Sequence, residues 1–104
     1  MFKISKAAAS HIRSSMRNGD SEELALRIAA AVQPDGAIEY RMGFDEVGVE
    51  DVLLSSRGVD VVFAKSHKEL LNGTLLDYVE IEPGDYRFIF LNPNDPHYRP
   101  PTED

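Results

Sequence analysis

The stretch Leu70-Leu-Asn-Gly-Thr-Leu-Leu-Asp-Tyr-Val79, followed by Phe88-Ile-Phe-Leu-Asn-Pro-Asn94, decides the fold of this chain. The two segments overlap largely apolar runs of strand length, at 75–81 and 86–91. Glu82-Pro-Gly-Asp85 separates these runs and suits a type II turn, with proline at the second position and glycine at the third. The sequence therefore predicts a closing β-hairpin.

The N-terminal segment predicts one helix at about 6–17. Ser5 is a typical N-cap residue, and Asn18-Gly19 is a typical helix end because glycine adopts the left-handed conformation easily. An apolar residue recurs every four positions between them, at Ala8, Ile12 and Met16.

After Gly19 the apolar period changes from four to two, which indicates strands. One strand is predicted from Glu23 to Val32, with its larger side chains on one face, and a second from Ile38 to Phe44. Gln33-Pro-Asp-Gly36 joins them as a turn, because proline fixes φ and glycine supplies conformational freedom.

Two more strands are predicted at 52–54 and 59–63, joined through Ser-Ser-Arg-Gly58. Ser66-His-Lys-Glu69 is a capping-box pattern, so it should open a single helical turn. The strand aromatics are predicted to be core residues rather than a ligand cage: Tyr40, Phe44, Phe63, Tyr78, Tyr86, Phe88 and Phe90.

This order of elements predicts an α+β fold, a β-sandwich or partly closed barrel of short strands with one covering helix. A length of 104 residues fits one domain. We expect residues 1–94 to form it and 95–104 to be a proline-rich tail, extended or disordered.

The net charge of −7 is unevenly distributed. The first nineteen residues hold four basic residues and no acidic one, so the remainder is strongly acidic. An acidic body repels phosphate backbones, so nucleic-acid binding is not expected. No apolar run reaches the length of a membrane span and the N-terminus lacks a signal-peptide pattern, which predicts a cytoplasmic protein.

The chain resembles the A-type iron–sulfur carrier family, which has the HesB-like fold. Leu71–Val79 matches the family signature Leu-Asp/Asn-Gly-Thr-x-Leu-Asp-Phe/Tyr-Val, and Asn92-Pro-Asn94 matches the Asn-Pro-Asn before its C-terminal ligands. Weaker matches lie at 4–9, 36–46 and 58–62. The resemblance implies the HesB-like fold and a role connected with iron–sulfur cluster assembly.

The chain departs from this family at its ligands, since it contains no cysteine. By spacing, the three ligand cysteines of the family fall at Pro34 and near Arg99 and Pro101. Proline has no side-chain donor atom and arginine stays protonated, so no cofactor is expected. The resemblance then implies a non-catalytic accessory or regulatory module that binds a protein. The alternative is a metal or cluster carrier that uses His97, acidic residues or the thiols of a partner.

Other chemical motifs are weak. His11, His67 and His97 form no pair at helical metal-site spacing, and the acidic segment 45–51 lacks the spacing of an EF-hand loop. A solvated loop is the simpler interpretation of that segment. No Gly-x-Ser-x-Gly motif or phosphate-binding loop is present, so catalysis is not expected.

Candidate partner contacts lie in the turn and the tail. The segment Pro96-His-Tyr-Arg-Pro-Pro101 could dock on a partner as an extended segment. The partner expected from the resemblance is a protein of iron–sulfur assembly, and the chain itself should be a monomer or a weak homodimer. The candidate contact residues are Gln33, Asp35, His97, Tyr98 and Arg99.

Overall fold

The computed structural model describes residues 1–96. In chain order its elements are β1 (Lys3–Ile4), α1 (Lys6–Asn18), β2 (Ala25–Val32), β3 (Ile38–Asp45), β4 (Asp51–Ser56), β5 (Val59–Ala64), a 3-10 turn (Lys65–His67), α2 (Lys68–Leu71), β6 (Leu75–Glu82) and β7 (Asp85–Leu91). Within these residues, no helix has both the length and the apolar character needed to cross a membrane.

The strands form two sheets, which confirms the predicted α+β class. One sheet has the order β1-β6-β7 and the other the order β3-β2-β5-β4. The pairs β1–β6 and β2–β5 are parallel, and the other pairs are antiparallel. Both sheets stay open, so the structure is a two-sheet arrangement rather than a closed barrel.

Helix α1 begins and ends close to its predicted positions. The Ser5 hydroxyl accepts a hydrogen bond from the Ala8 N–H at 3.1 Å and donates one to Asp77 at 2.6 Å. At the other end, the Gly19 N–H donates to the Ser15 carbonyl at 3.1 Å. The helix buries Ala8, Ile12 and Met16, together with Ala9, which the sequence also predicts to broaden this stripe.

One apolar core joins the helix to both sheets. Its buried side chains include Ile12, Leu26, Ile28, Val61, Phe63, Leu71 and Leu76. Most of the predicted core aromatics are buried or packed against this core, but Tyr86 is 53% exposed, so its assignment was wrong. Tyr86 lies one residue after the start of β7, next to the solvent-facing tip of the hairpin.

The face of β2 that carries the larger side chains is buried at Leu26, Ile28 and Ala30. Ala25, at the start of the strand, is buried as well. Val32 is 60% exposed, since it is the last residue before the turn.

The predicted helical turn is present, but its capping box is not. Helix α2 begins at Lys68, and its N-cap residue is His67, which makes no side-chain capping bond. Ser66 therefore precedes the position from which it could cap the helix. The type II turn of the closing hairpin is confirmed, because Glu82 pairs with Asp85 and Gly84 has a φ of +82°.

Candidate functional site

The turn that contains the first ligand position of the resemblance lies close to the last described residue, Pro96. Gly36 has a φ of +89°, and a Cβ built on it would lie 3.8 Å from the Pro96 Cγ. Pro34, which occupies the first ligand position, is exposed in the same turn. We define the candidate site as the Gln33–Gly36 turn together with the segment Asn92–Pro96.

The Gln33–Gly36 turn is closed by its own hydrogen bonds. The Gly36 N–H donates to the Gln33 carbonyl at 2.9 Å, and the Gln33 N–H donates to the Ala37 carbonyl at 2.7 Å. The Asp35 carboxylate accepts from the Ala37 N–H at 3.0 Å, and the Gln33 amide donates to Glu39 at 2.9 Å. The side chains of Gln33 and Asp35 are thus engaged within the turn and its strand.

The second segment caps helix α2. Asn92 is 1% exposed, donates to the Leu70 carbonyl at 2.8 Å and accepts from the Asn94 N–H at 2.9 Å. The Asn94 amide donates towards the carbonyls of Glu69, Leu70 and Asn72 at 3.0–3.4 Å. The last carbonyls of a helix have no hydrogen-bond donor within the helix, and the side-chain amides of Asn92 and Asn94 donate to them here. We call residues 92–94 the Asn-Pro-Asn cap.

Gly73 makes room for this cap. Its φ is +81°, and a Cβ there would lie 3.2 Å from the Pro93 Cγ, which is a tight contact. The family signature around Gly73 and the Asn-Pro-Asn motif therefore meet in space. Their residues build the scaffold beneath the site rather than the site's chemistry.

Tyr40 on β3 contacts Phe90 on β7 and so joins the two sheets near the cap. Its ring stacks on Phe90, with centroids 4.2 Å apart and planes 5° from parallel. Among residues 1–96, no atom makes a well-formed hydrogen bond with its buried hydroxyl. Burial raises the pKa of Tyr40, although the nearby Asn92 side chain opposes part of the rise. The phenol stays protonated at neutral pH and offers no phenolate ligand.

The described histidines do not converge. His11 stacks on Tyr78 with centroids 4.2 Å apart, whereas His67 lies beside a cleft of about 330 Å³ on the outer face of β2 and β3. Within residues 1–96, no three His, Cys, Asp or Glu side chains are grouped so that they could hold a metal ion. With Pro34 at the first ligand position, the residues present do not fit a thiolate-held cluster.

The acidic segment at 45–51 has a role that the sequence analysis missed. Arg27 pairs with Asp45 and Asp51, both at 2.5 Å, and donates to the Glu46 carbonyl at 3.1 Å. Hydrogen bonds from Arg27, and one from the Gly48 N–H, lower the pKa of Asp51 to about 2. The segment is therefore a loop held by the Arg27 side chain on β2. Arg27 lies too far from the loop in sequence for a local pattern to reveal this contact.

Three of the predicted partner contacts, His97, Tyr98 and Arg99, lie outside the described residues. The two C-terminal ligand positions near Arg99 and Pro101 lie outside them as well. Of the predicted contacts, Gln33 and Asp35 are therefore the two whose positions are known, and both belong to the turn.

No protein-family model matches the chain. The chain is 32% identical over 92 residues to the uncharacterized protein SufA of Bacillus subtilis, covering 88% of this chain and 76% of that one. It is 32% identical over 92 residues to the iron-binding protein IscA of Klebsiella pneumoniae, covering 88% and 84%. It is 30% identical over 96 residues to the iron–sulfur cluster insertion protein ErpA of Escherichia coli, covering 89% and 82%.

Solved structures give the same picture of the fold. Escherichia coli SufA superposes with a TM-score of 0.75 at 22% identity, covering 88% of this chain and 80% of that one. IscA with a 2Fe-2S cluster gives 0.69 at 26% identity, covering 89% and 83%. A protein from Aquifex aeolicus gives 0.66 at 30% identity, covering 88% and 91%.

Proposed function

The chain belongs to the A-type iron–sulfur carrier family, and from this premise we propose that it serves cluster assembly by binding a protein instead of carrying a cluster. Its relatives IscA and ErpA are named for iron binding and cluster insertion, which links the family to that process. The observation that carries the proposal is Pro34. A residue without a donor atom occupies the first ligand position, in a chain that has no cysteine.

The geometry of the turn supports a binding role. Pro34 and Asp35 are exposed at the tip of the Gln33–Gly36 turn, and backbone hydrogen bonds of 2.7 and 2.9 Å hold the turn in place. A surface that is already ordered loses little conformational entropy when a partner binds. We propose that this turn and the residues after Pro96 form the partner surface, with Gln33, Asp35, His97, Tyr98 and Arg99 as contacts.

Two further parts belong to this proposal. The chain acts as an accessory or regulatory protein and not as an enzyme, in line with relatives that are named for binding and insertion. Its cytoplasmic location remains a prediction from the sequence.

Anaerobic reconstitution tests the first part of the proposal. The purified chain would be incubated with ferrous iron and sulfide, with and without glutathione, and then desalted. Klebsiella pneumoniae IscA is the positive control, because it is an iron-binding relative. We expect a colourless protein with far less than stoichiometric iron under both conditions. A stable visible absorbance band with stoichiometric iron would establish the carrier alternative instead, with glutathione dependence pointing to external thiols.

Affinity capture from the native cell tests the second part. The tagged full chain would be compared with a Tyr98→Ala, Arg99→Glu variant and with Lys68→Glu, an exposed control on α2. Mass spectrometry should find iron–sulfur assembly proteins with the wild type and the control, and lose them with the double variant. Retention of the same proteins by the double variant would contradict the assignment of the surface.

A further inference from the structure

Five basic side chains gather on one side of the molecule without acidic partners. They come from β1, helix α1 and the β4–β5 turn, and none of them forms a salt bridge with a described residue. Of the five other described cations, four pair with a carboxylate, namely Arg27, Arg41, Lys65 and Arg87, and Lys68 lies apart on α2. We call the five clustered residues the basic face, and its members are Lys3, Lys6, Arg13, Arg17 and Arg57.

Arg57 occupies a position that an arginine rarely takes. Ser56 pairs with Val59, so Arg57 and Gly58 alone form the turn, with φ angles of +50° and +80°. A two-residue turn with both φ values positive favours asparagine, aspartate or glycine at its first position. The strained backbone of Arg57 is a reason to look for a function of its side chain.

Arg13 brings a second guanidinium to the same place. Its Nη1 donates a hydrogen bond to the Arg57 carbonyl, and a Cβ at Gly58 would lie 3.6 Å from that nitrogen. The Arg13 guanidinium thus lies at the backbone of the Arg57 turn, and no described carboxylate forms a salt bridge with either arginine. A carboxylate from another molecule would supply the partner that the described residues do not.

Two clefts flank this turn and give the basic face its shape. A cleft of about 500 Å³ is lined by Lys3, Lys6 and Arg57, with Met1 and Leu75 supplying apolar surface. A cleft of about 200 Å³ on the other side is lined by residues that include two basic side chains and one acidic one, namely Arg13, Met16, Arg17, Glu22 and Gly58. Cations therefore border a floor that is partly apolar.

The basic face lies far from the candidate site. Strands β2 and β5 are parallel with Leu26 beside Val61, so the Arg57 turn lies off the end where β2 begins. The Gln33–Gly36 turn lies off the other end, and the eight residues of β2 span about 26 Å at about 3.3 Å per residue. A ligand on one surface does not occupy the other.

We propose that the basic face binds an acidic segment of a partner protein. Its carboxylates would pair with the five cations, through charge-assisted hydrogen bonds that are strongest at arginine. Apolar residues of the segment would cover the surface beside Met1 and Leu75. A long nucleic acid would instead extend over the acidic remainder of the chain, which repels phosphates. This inference stands independently of the proposed function.

Fluorescence anisotropy with a defined probe tests the inference. The probe is a labelled peptide of about ten residues that combines Asp and Glu with a few Leu, and its control peptide has Asn and Gln in place of the acids. The test variant is Lys3→Glu, Lys6→Glu, Arg17→Glu, and the matched variant is Lys65→Glu, Lys68→Glu, Arg87→Glu. Both variants have the same net charge, so they separate the basic face from the overall charge.

The acidic peptide should bind the wild type, more weakly at higher salt, and the test variant should bind it at least about tenfold more weakly. The matched variant should stay within about threefold of the wild type. Equal losses in both variants, or equal binding of the control peptide, would overturn the inference. If a single-stranded oligonucleotide bound more tightly than the acidic peptide, and the test variant lost that binding, the ligand of the basic face would be nucleic acid and the inference would be overturned.

Arg57→Asn provides a second test that does not depend on a fold defect. Asparagine suits the first position of this turn, so the melting temperature should rise by about a few degrees. The same variant should bind the acidic peptide about three- to tenfold more weakly, because one cation is removed. A variant that is more stable and binds as well as the wild type would show that the Arg57 side chain serves no binding role.

Discussion

The Asn-Pro-Asn cap and the Gln33–Gly36 turn lie at the same candidate site, yet only the cap keeps the pattern of the carrier family. Asn92 is buried and bonded to the chain around α2, whereas Pro34 is exposed and has no side-chain donor atom. The motif that identifies the family here is thus architectural. It carries the fold to this chain, in which no cysteine is present to act as a ligand.

This comparison predicts its largest effect at Asn92. Asn92→Ala removes one donor and one acceptor from a buried position and leaves the Leu70 carbonyl with only the longer bond from the Asn94 amide, at 3.2 Å. We expect the free energy of unfolding to fall by about 2–4 kcal/mol. Urea denaturation would measure it, with the exposed Asn18→Ala as control, which should change it by less than about 0.5 kcal/mol. A loss below about 1 kcal/mol at Asn92 would show that the cap contributes little to the stability of the fold.

Glycine substitutions compare the backbone of the cap region with the backbone of the turns. Gly73, Gly84 and Gly36 all have positive φ, but only Gly73 faces a tight contact, at 3.2 Å from Pro93. We expect Gly84→Val to cost about 1–2 kcal/mol through backbone strain alone. Gly73→Ala should cost more than Gly36→Ala, because the methyl group must also displace the cap. Equal losses at Gly73 and Gly36 would show that the contact with Pro93 relaxes freely.

Local patterns sufficed wherever an element is determined by its own sequence. Ser5 and the four-residue apolar repeat predicted α1, and Pro83-Gly84 predicted the hairpin turn. Strand β1 was missed, because its two residues become a strand only through pairing with Leu75 and Leu76. The capping box failed because α2 begins at Lys68, two residues after Ser66.

The same limit applies to the candidate site. The sequence placed Pro34 at a ligand position, but it could not show that Gly36 meets Pro96. The acidic loop was assigned without Arg27, and Asn92 was recognised as part of a motif without its bonds to α2. Each of these contacts joins residues separated by at least eighteen positions along the chain, so no local period or spacing contains it.

The loop at 45–51 is held by an ion pair, whereas the cap is held by buried hydrogen bonds, so the two should respond differently to pH. Arg27 lowers the pKa of Asp51 to about 2 from an ordinary value of 3.8. Because the folded pKa is the lower one, the pair stabilises the fold above about pH 4 and stops doing so as the pH falls towards 2. We expect the urea midpoint of the wild type to exceed that of Asp51→Asn near pH 6, and this gap to shrink as the pH falls through about 2. Asp60→Asn on β5 is the control, and a gap at pH 2 as large as that at pH 6 would contradict the ionic explanation.

Asp35 should show a much smaller effect than Asn92, although both side chains accept a backbone N–H. The Asp35 bond to the Ala37 N–H is 3.0 Å long and exposed, so water can replace it. We expect Asp35→Ala to cost about 0.5 kcal/mol in urea denaturation. Asp35→Asn should restore most of that loss, since its amide oxygen accepts the same bond. A loss as large as that of Asn92→Ala would mean that the turn and the cap are equally structural.

The smallest expected effect concerns self-association. A specific dimer usually buries about 1,200–2,000 Å² with an apolar centre, and the described part of the candidate site exposes mainly Pro34, Asp35, Pro93 and Pro96. With Pro34 at the first ligand position and no cysteine in the chain, two copies have no thiolate-held cluster to share. We therefore expect a monomer or a weak dimer at micromolar concentration, and light scattering should give the same state for the full chain and for a chain ending at Pro96. A tight full-length dimer that becomes monomeric on truncation would show that the C-terminal residues bind a second copy. The proposed partner contact at Tyr98 would then be a contact between copies of this chain.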